Sequence, residues 1–167
     1  MSGGPKPGAA PDPLGSALRF APLVFLAHVV EEGPGFVDWL NAHVARGITP
    51  GLFWTVNGTA LLITVLSTLG VRSARSPAGV LLAIAWLSFL MPANALLHLA
   101  AAIMDRAYVP GLLTAVLLYL PYSAWIASRA VRSRSAAPAP LAAAALLGAI
   151  PMAAHGYWIL FRGDRLF

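Results

Sequence analysis

The residues able to do chemistry are few, and they are grouped. His28-Val-Val-Glu31-Glu32 sets an imidazole three and four residues ahead of two carboxylates, and residues so spaced share a helix face. Asn94-Ala-Leu-Leu-His98 is a second i, i+4 pair, while Asn57 and His155 stand alone in apolar runs. His28 and Glu32 from one helix, with His98 from another, form an N, N, O donor set suited to a divalent metal, zinc or iron. Glu31, Asn94 or His155 would add a ligand, orient a histidine or serve as base. An open position on the ion would activate a water. Without a metal the same residues suit acid–base chemistry on an isoprenoid- or sterol-like lipid, as an isomerase or cyclase. Two adjacent carboxyls resist double ionisation, leaving one acid and one base. His28 or His98 would then relay the proton and Asn94 would fix a substrate oxygen. A third, non-enzymatic reading is a proton or ion relay in a small transporter, or a polar network that joins helices.

The elements that carry these residues must lie in a membrane. The chain has 167 residues, 59% of them hydrophobic and 10% charged, against roughly 25% charged in soluble domains. With so few charges a soluble monomer could not coat its surface. The lack of cysteine removes disulfides, thiolate metal sites and a cysteine nucleophile. The basic excess is spread as single arginines and short clusters between apolar runs, which suits membrane flanks and not nucleic acid. Arginine in place of lysine, with abundant Ala, Pro and Gly, points to a GC-rich bacterial genome. No Gly-rich phosphate loop or dinucleotide fingerprint is present, so soluble cofactors are not implied.

A bilayer crossing takes about 20 residues. After a Gly/Pro/Ala-rich tail, 1–15, expected to be disordered and not a signal peptide, five spans are predicted. They are Ala17–Gly33, Gly51–Val71, Pro77–Met104, Gly111–Val131 and Ala139–Phe161. The fold class is therefore all-α: residues 16–167 form one transmembrane helical bundle. Phe36 to Arg46 reads as a short helix in the membrane interface, with Phe36, Trp39, Leu40 and Val44 on one face. With the N-terminus cytoplasmic, the inner segments hold seven basic residues and one acid, and the outer segments four basic residues and five acids. The positive-inside rule favours this orientation. It also places His28, His98 and His155 late in outward spans and Asn57 early in an inward one, so all converge in the outer half. The expected location is thus the cell membrane, with membrane lipids and a hydrophobic small molecule as partners. The small residues Ala142–Ala145 are compatible with packing in a homodimer.

At three motifs the chain resembles the HXXEE domain family of small integral-membrane proteins. These are His28-Val-Val-Glu31-Glu32, then Asn94-Ala-Leu-Leu-His98, then Tyr108-Val-Pro-Gly111, where Val109 stands at a position that is often Ser. The resemblance runs from about Phe20 to Ser128 and implies an enzyme without supplying a substrate. His28-x-x-x-Glu32-Gly33 is also similar to the His/Glu helix of emopamil-binding-protein-type sterol isomerases, which use a buried acid to protonate a double bond.

The remaining residues have plainer readings. His155 beside Tyr157 and Trp158 is read as an interfacial hydrogen-bonder before a ligand. Tyr108 caps the site or anchors the interface, and Trp39, Trp54 and Trp158 form an outer aromatic belt. Thr49-Pro50-Gly51 and Val109-Pro110-Gly111 are read as two ordinary helix starts, with proline in the first turn.

Overall fold

The computed structural model describes residues 13–74 and 76–167; most of the expected N-terminal tail lies outside the described residues. The described chain is helical throughout, with no strand. Helix α1 (Pro13–Leu18) and α2 (Ala21–Glu32) are separated by a turn at Arg19 and Phe20, where Pro22 restarts the helix. A short α3 (Phe36–His43) follows, as the amphipathic pattern predicts. Helix α4 (Pro50–Ala74) opens with proline, and Thr49 Oγ1 accepts the Leu52 N–H there, an N-cap that satisfies one orphan donor.

The central element is one long rod, α5 (Pro77–Ser88) and α6 (Asn94–Asp105), joined by a π-helical turn at Phe89–Ala93. Pro92 accounts for that turn, since it lacks an N–H and its ring clashes with the carbonyl four residues back. Arg106, at φ 50°, ends the rod in the left-handed conformation. The chain returns through α7 (Leu112–Thr114), a second π-helical turn at Ala115–Tyr119 and α8 (Leu120–Ser133). Helix α9 (Pro138–Tyr157) closes the bundle and ends in a third π turn, Trp158–Arg162.

Four helical stretches are long and apolar enough to cross a bilayer: Leu14–Glu32, Pro50–Val71, Pro77–Asp105 and Pro138–Arg162. The predicted fourth span is helical too, but Pro121, Tyr122, Ser123 and Arg129 dilute its apolar character. The burial pattern follows from this arrangement. Of an 18-residue apolar stretch in each, 56% is buried in the central rod but only 17% in Pro50–Val71 and 11% in Pro138–Arg162, which present Leu62, Leu66, Leu146 and Ile150 outward. Such an apolar exterior suits lipid as solvent. In α4, where water would be absent, Thr55, Thr64 and Thr68 donate their hydroxyls to carbonyls four residues back. Gly148 lets α9 press against α5, since a Cβ there would collide with the Ala85 carbonyl.

Candidate metal centre

His28 and Glu32 come from the last turns of α2, and His98 from the middle of α6. The Nε2 atoms of His28 and His98 lie 3.3 and 3.1 Å from Glu32 Oε1, and the rings meet edge to face with centroids 5.0 Å apart. The three residues are nearly sealed, at 0%, 4% and 1% exposure. Donor atoms from all three fall within 4.8 Å of one another, a group that can hold a metal ion. Donors that sit ~2.0–2.2 Å from one ion stand roughly 3.0–3.6 Å apart, depending on the angle at the metal. The two Glu32 contacts fall in that range.

His98 carries a second mark of such a site. Neither ring nitrogen makes a hydrogen bond among the described residues, although Nε2 is close to Glu32. The contact has the distance of an ion pair without hydrogen-bond alignment. Buried polar atoms are nearly always bonded, so a sealed imidazole whose Nδ1 has no partner and whose Nε2 has only Glu32 needs an explanation.

The partners of His28 fix its tautomer. Thr114 Oγ1 lies 2.8 Å from His28 Nδ1 and gives its one proton to Glu31 Oε2. It can therefore only accept from an Nδ1–H, which leaves the Nε2 lone pair facing the centre. The Asn94 amide donates to that same Nε2 at 3.2 Å. A carboxylate that orients a metal-binding histidine through its far nitrogen is a recurrent arrangement; here the Thr114 hydroxyl stands between the two. Glu31 is fully engaged. It also accepts from the Tyr108 hydroxyl and from the backbone N–H groups of Leu113 and Thr114, at 3.0 and 2.7 Å. Desolvation, and after it the Glu31 carboxylate, push the Tyr108 phenol up to about 12, so it remains a donor across the physiological range.

Gly111 forms the roof. Its φ is +94°, and an added Cβ would meet His98 Cε1 at 2.7 Å and both Glu32 Cγ and His28 Cε1 at 2.9 Å. Only glycine permits both that backbone conformation and that approach. Pro110 packs over Gly35, whose Cβ would stand 3.2 Å from its ring, and Val109 is fully buried. Thus Tyr108-Val-Pro-Gly111 closes over the histidines and carboxylates by side-chain anchoring, burial and close backbone contact in turn.

The described chain and the three motifs belong together. The family described as "Protein of unknown function with HXXEE motif" matches residues 19–126, well over half of the chain. The chain belongs to the HXXEE family. The match contains the converging ligands, Glu31 and the roof, and stops short of α9. No curated protein and no solved structure matches the chain.

Of the other residues singled out in this HXXEE chain, Asn57 bonds back to the Phe53 carbonyl. Asn57 and His155 do not join the ligand group, but both line a cavity that reaches Glu32 and Asn94. Two residues escaped sequence reasoning. Thr114 is hidden because a lone threonine in a span ordinarily bonds to its own backbone. Tyr119 packs on His28 in a tilted arrangement, ring centroids 4.2 Å apart, with its buried hydroxyl unpartnered. Thr114 and Tyr119 are five residues apart, on different faces of an α-helix at about 100° per residue, yet both touch His28. The π turn between them rotates them together, and the proline at 121 was its one visible signal.

Proposed function

We propose that the chain is a multi-pass membrane enzyme in which His28, Glu32 and His98 hold a divalent ion, zinc or iron, and act on a hydrophobic, lipid-like substrate from the outer half of the bilayer. The observation that carries this reading is the meeting of three sealed donors, one of them an imidazole with no other polar partner. Burying such groups is costly unless something binds them. An ion so held supplies Lewis acidity and lowers the pKa of water. The chain's own residues do the rest. Glu31 and Thr114 hold His28 in the tautomer that presents Nε2 inward. Turning over the Asn94 amide places Oδ1 where Nδ2 now stands, adding an oxygen donor. Support for the outer half comes from the distribution of arginine along the sequence.

Metal analysis of the protein purified in detergent without chelator tests this directly. About one equivalent of zinc or iron is expected, with less than a tenth of that in His98→Ala. Wild-type protein free of stoichiometric metal would rule the reading out. A second reading draws on the Asn94 contact, which already pairs the His28 lone pair: metal-free acid–base catalysis, or a proton relay, through Glu32 and the two imidazoles. Metal-free protein whose Glu32→Gln variant alters the cellular lipid profile, or loses proton flux in vesicles, would favour it.

A further inference from the structure

A cavity of about 180 Å³ runs from Glu32 and Asn94, between α3, the start of α4 and α6, to α9 and the segment after it. Its walls are apolar, with Phe36, Leu40, Leu97 and Met152 among them. Its far end is cationic. Arg165 lines it and spends Nε on the Arg46 carbonyl, at 3.0 Å. Among the described residues its guanidinium forms no ion pair, and the neighbouring Asp164, although it feels the Arg165 charge, is paired with Arg46 at 2.9 Å. His155 stands beside it and accepts the Leu166 N–H on Nδ1 at 3.3 Å, so a neutral ring carries its proton on Nε2, as a donor. The mouth lies at Leu52, Val56 and Phe167, which are 38%, 54% and 56% exposed although they line the cavity. That is the lipid-facing side of α4.

Arg165 lines a mainly apolar hollow whose one carboxylate, Glu32, is engaged with His28 and His98, so an anion from outside is the partner its planar fork of donors would bond. The hollow is smaller than the roughly 300–1,000 Å³ of ordinary ligand pockets, so it accommodates a head and the first few carbons of a chain. We propose that this cavity seats a single-chain amphiphile with an anionic carboxylate or phosphate head, held by Arg165 and His155, its chain leaving between Leu52, Val56 and Phe167 into the bilayer. The head site stands on its own geometry. Its meaning as a substrate site rests on the metal-enzyme reading, because the same cavity is floored by Glu32.

The test uses the full chain in phosphatidylcholine nanodiscs, with empty discs as background, and three probes: dodecanoate, dodecyl phosphate and dodecanol. At least one anion should bind about tenfold or more tighter than the alcohol, as a charge-assisted contact requires, and the tighter of the two identifies the head. Arg165→Gln should bring the anions within about twofold of the alcohol, Arg165→Lys should restore most of the difference, and the unchanged alcohol affinity reports an intact fold. Equal binding of alcohol and anions by wild type, or a preference untouched by Arg165→Gln, overturns the proposal. Repeating the titration after chelation and in His98→Ala separates the two readings. A preference that follows the metal and ignores Arg165 overturns the head site and leaves the metal standing. A preference that follows Arg165 in a protein without metal does the reverse.

Discussion

Adjacent glutamates in the HXXEE motif have different work to do, and their hydrogen bonds separate them. Glu32 turns inward to two imidazoles, while Glu31 turns outward to four donors on the returning chain. Glu31→Gln should therefore keep the ligand set but weaken metal affinity by about 10–100-fold, the usual penalty for losing an orienting partner; competition with a chromophoric chelator measures it. Glu32→Gln should instead abolish stoichiometric metal in the same assay. Gly111 gives the sharper residue-level test. Gly111→Ala forces a Cβ against three side chains at 2.7–2.9 Å in a left-handed conformation. Backbone strain of that kind costs roughly 1–3 kcal/mol, so a lower melting temperature and lost metal are expected together. An alanine variant with full metal content would show that the roof is less tightly seated.

At the scale of elements, α3 is the lid of the site, because Phe36 packs on His98 with ring centroids 5.5 Å apart. Its other end is latched to the end of α6. His43 Nδ1–H donates to the Trp39 carbonyl at 2.7 Å, Nε2 faces Asp105 at 3.1 Å, and Trp39 Nε1 donates to the same carboxylate at 2.7 Å. Partial burial pulls the His43 imidazole down, but the Trp39 carbonyl and Asp105 outweigh it, and the net direction is up. With a raised folded pKa, the latch contributes fully below the free imidazole value of about 6.5 and is lost as pH rises through the folded value. For a pair this exposed the contribution is roughly 0.2–1 kcal/mol. Hydrogen-exchange protection of α3, corrected for the intrinsic pH dependence of amide exchange, should fall modestly across that window, and Asp105→Asn should reduce the fall, leaving only the part due to the Trp39 carbonyl. Corrected protection that is flat with pH in the wild type would refute the latch.

On the scale of the whole molecule, the orientation in the membrane decides which compartment the site addresses. A chain without cysteine can be mapped by adding one. With the N-terminus inside, Ala107→Cys, in the exposed loop before Tyr108, should react with an impermeant maleimide on intact cells. Ala137→Cys, before α9, should react only after lysis. The opposite pattern would place the centre in the inner half and remove the charge-based support for an outer site.

The three motifs and the helical character of the spans were legible in the sequence because both depend on local spacing. Period and hydropathy act within a few turns, so His28 and Glu32 share a face whatever surrounds them, and the apolar runs give helices long enough to cross a bilayer. The pairing of His98 with that face was one of several readings the sequence allowed, and the contact with Glu32 at 3.1 Å is a tertiary one. The two Pro-Gly pairs read alike as helix starts, but only Pro50 opens a helix; α7 begins at Leu112, after Gly111 at φ +94°. Gly51 has only Thr49 Oγ1 near its Cβ position, at 3.8 Å, while Gly111 meets three buried side chains. Thr114 and Tyr119 likewise acquire their roles from α2, the former across 86 residues of chain, and through a π turn that shifts the helical register. Sequence alone determined which residues share a helix face. Tertiary structure alone decided which backbone lies over them, because close approach between distant elements leaves no periodic trace in either one.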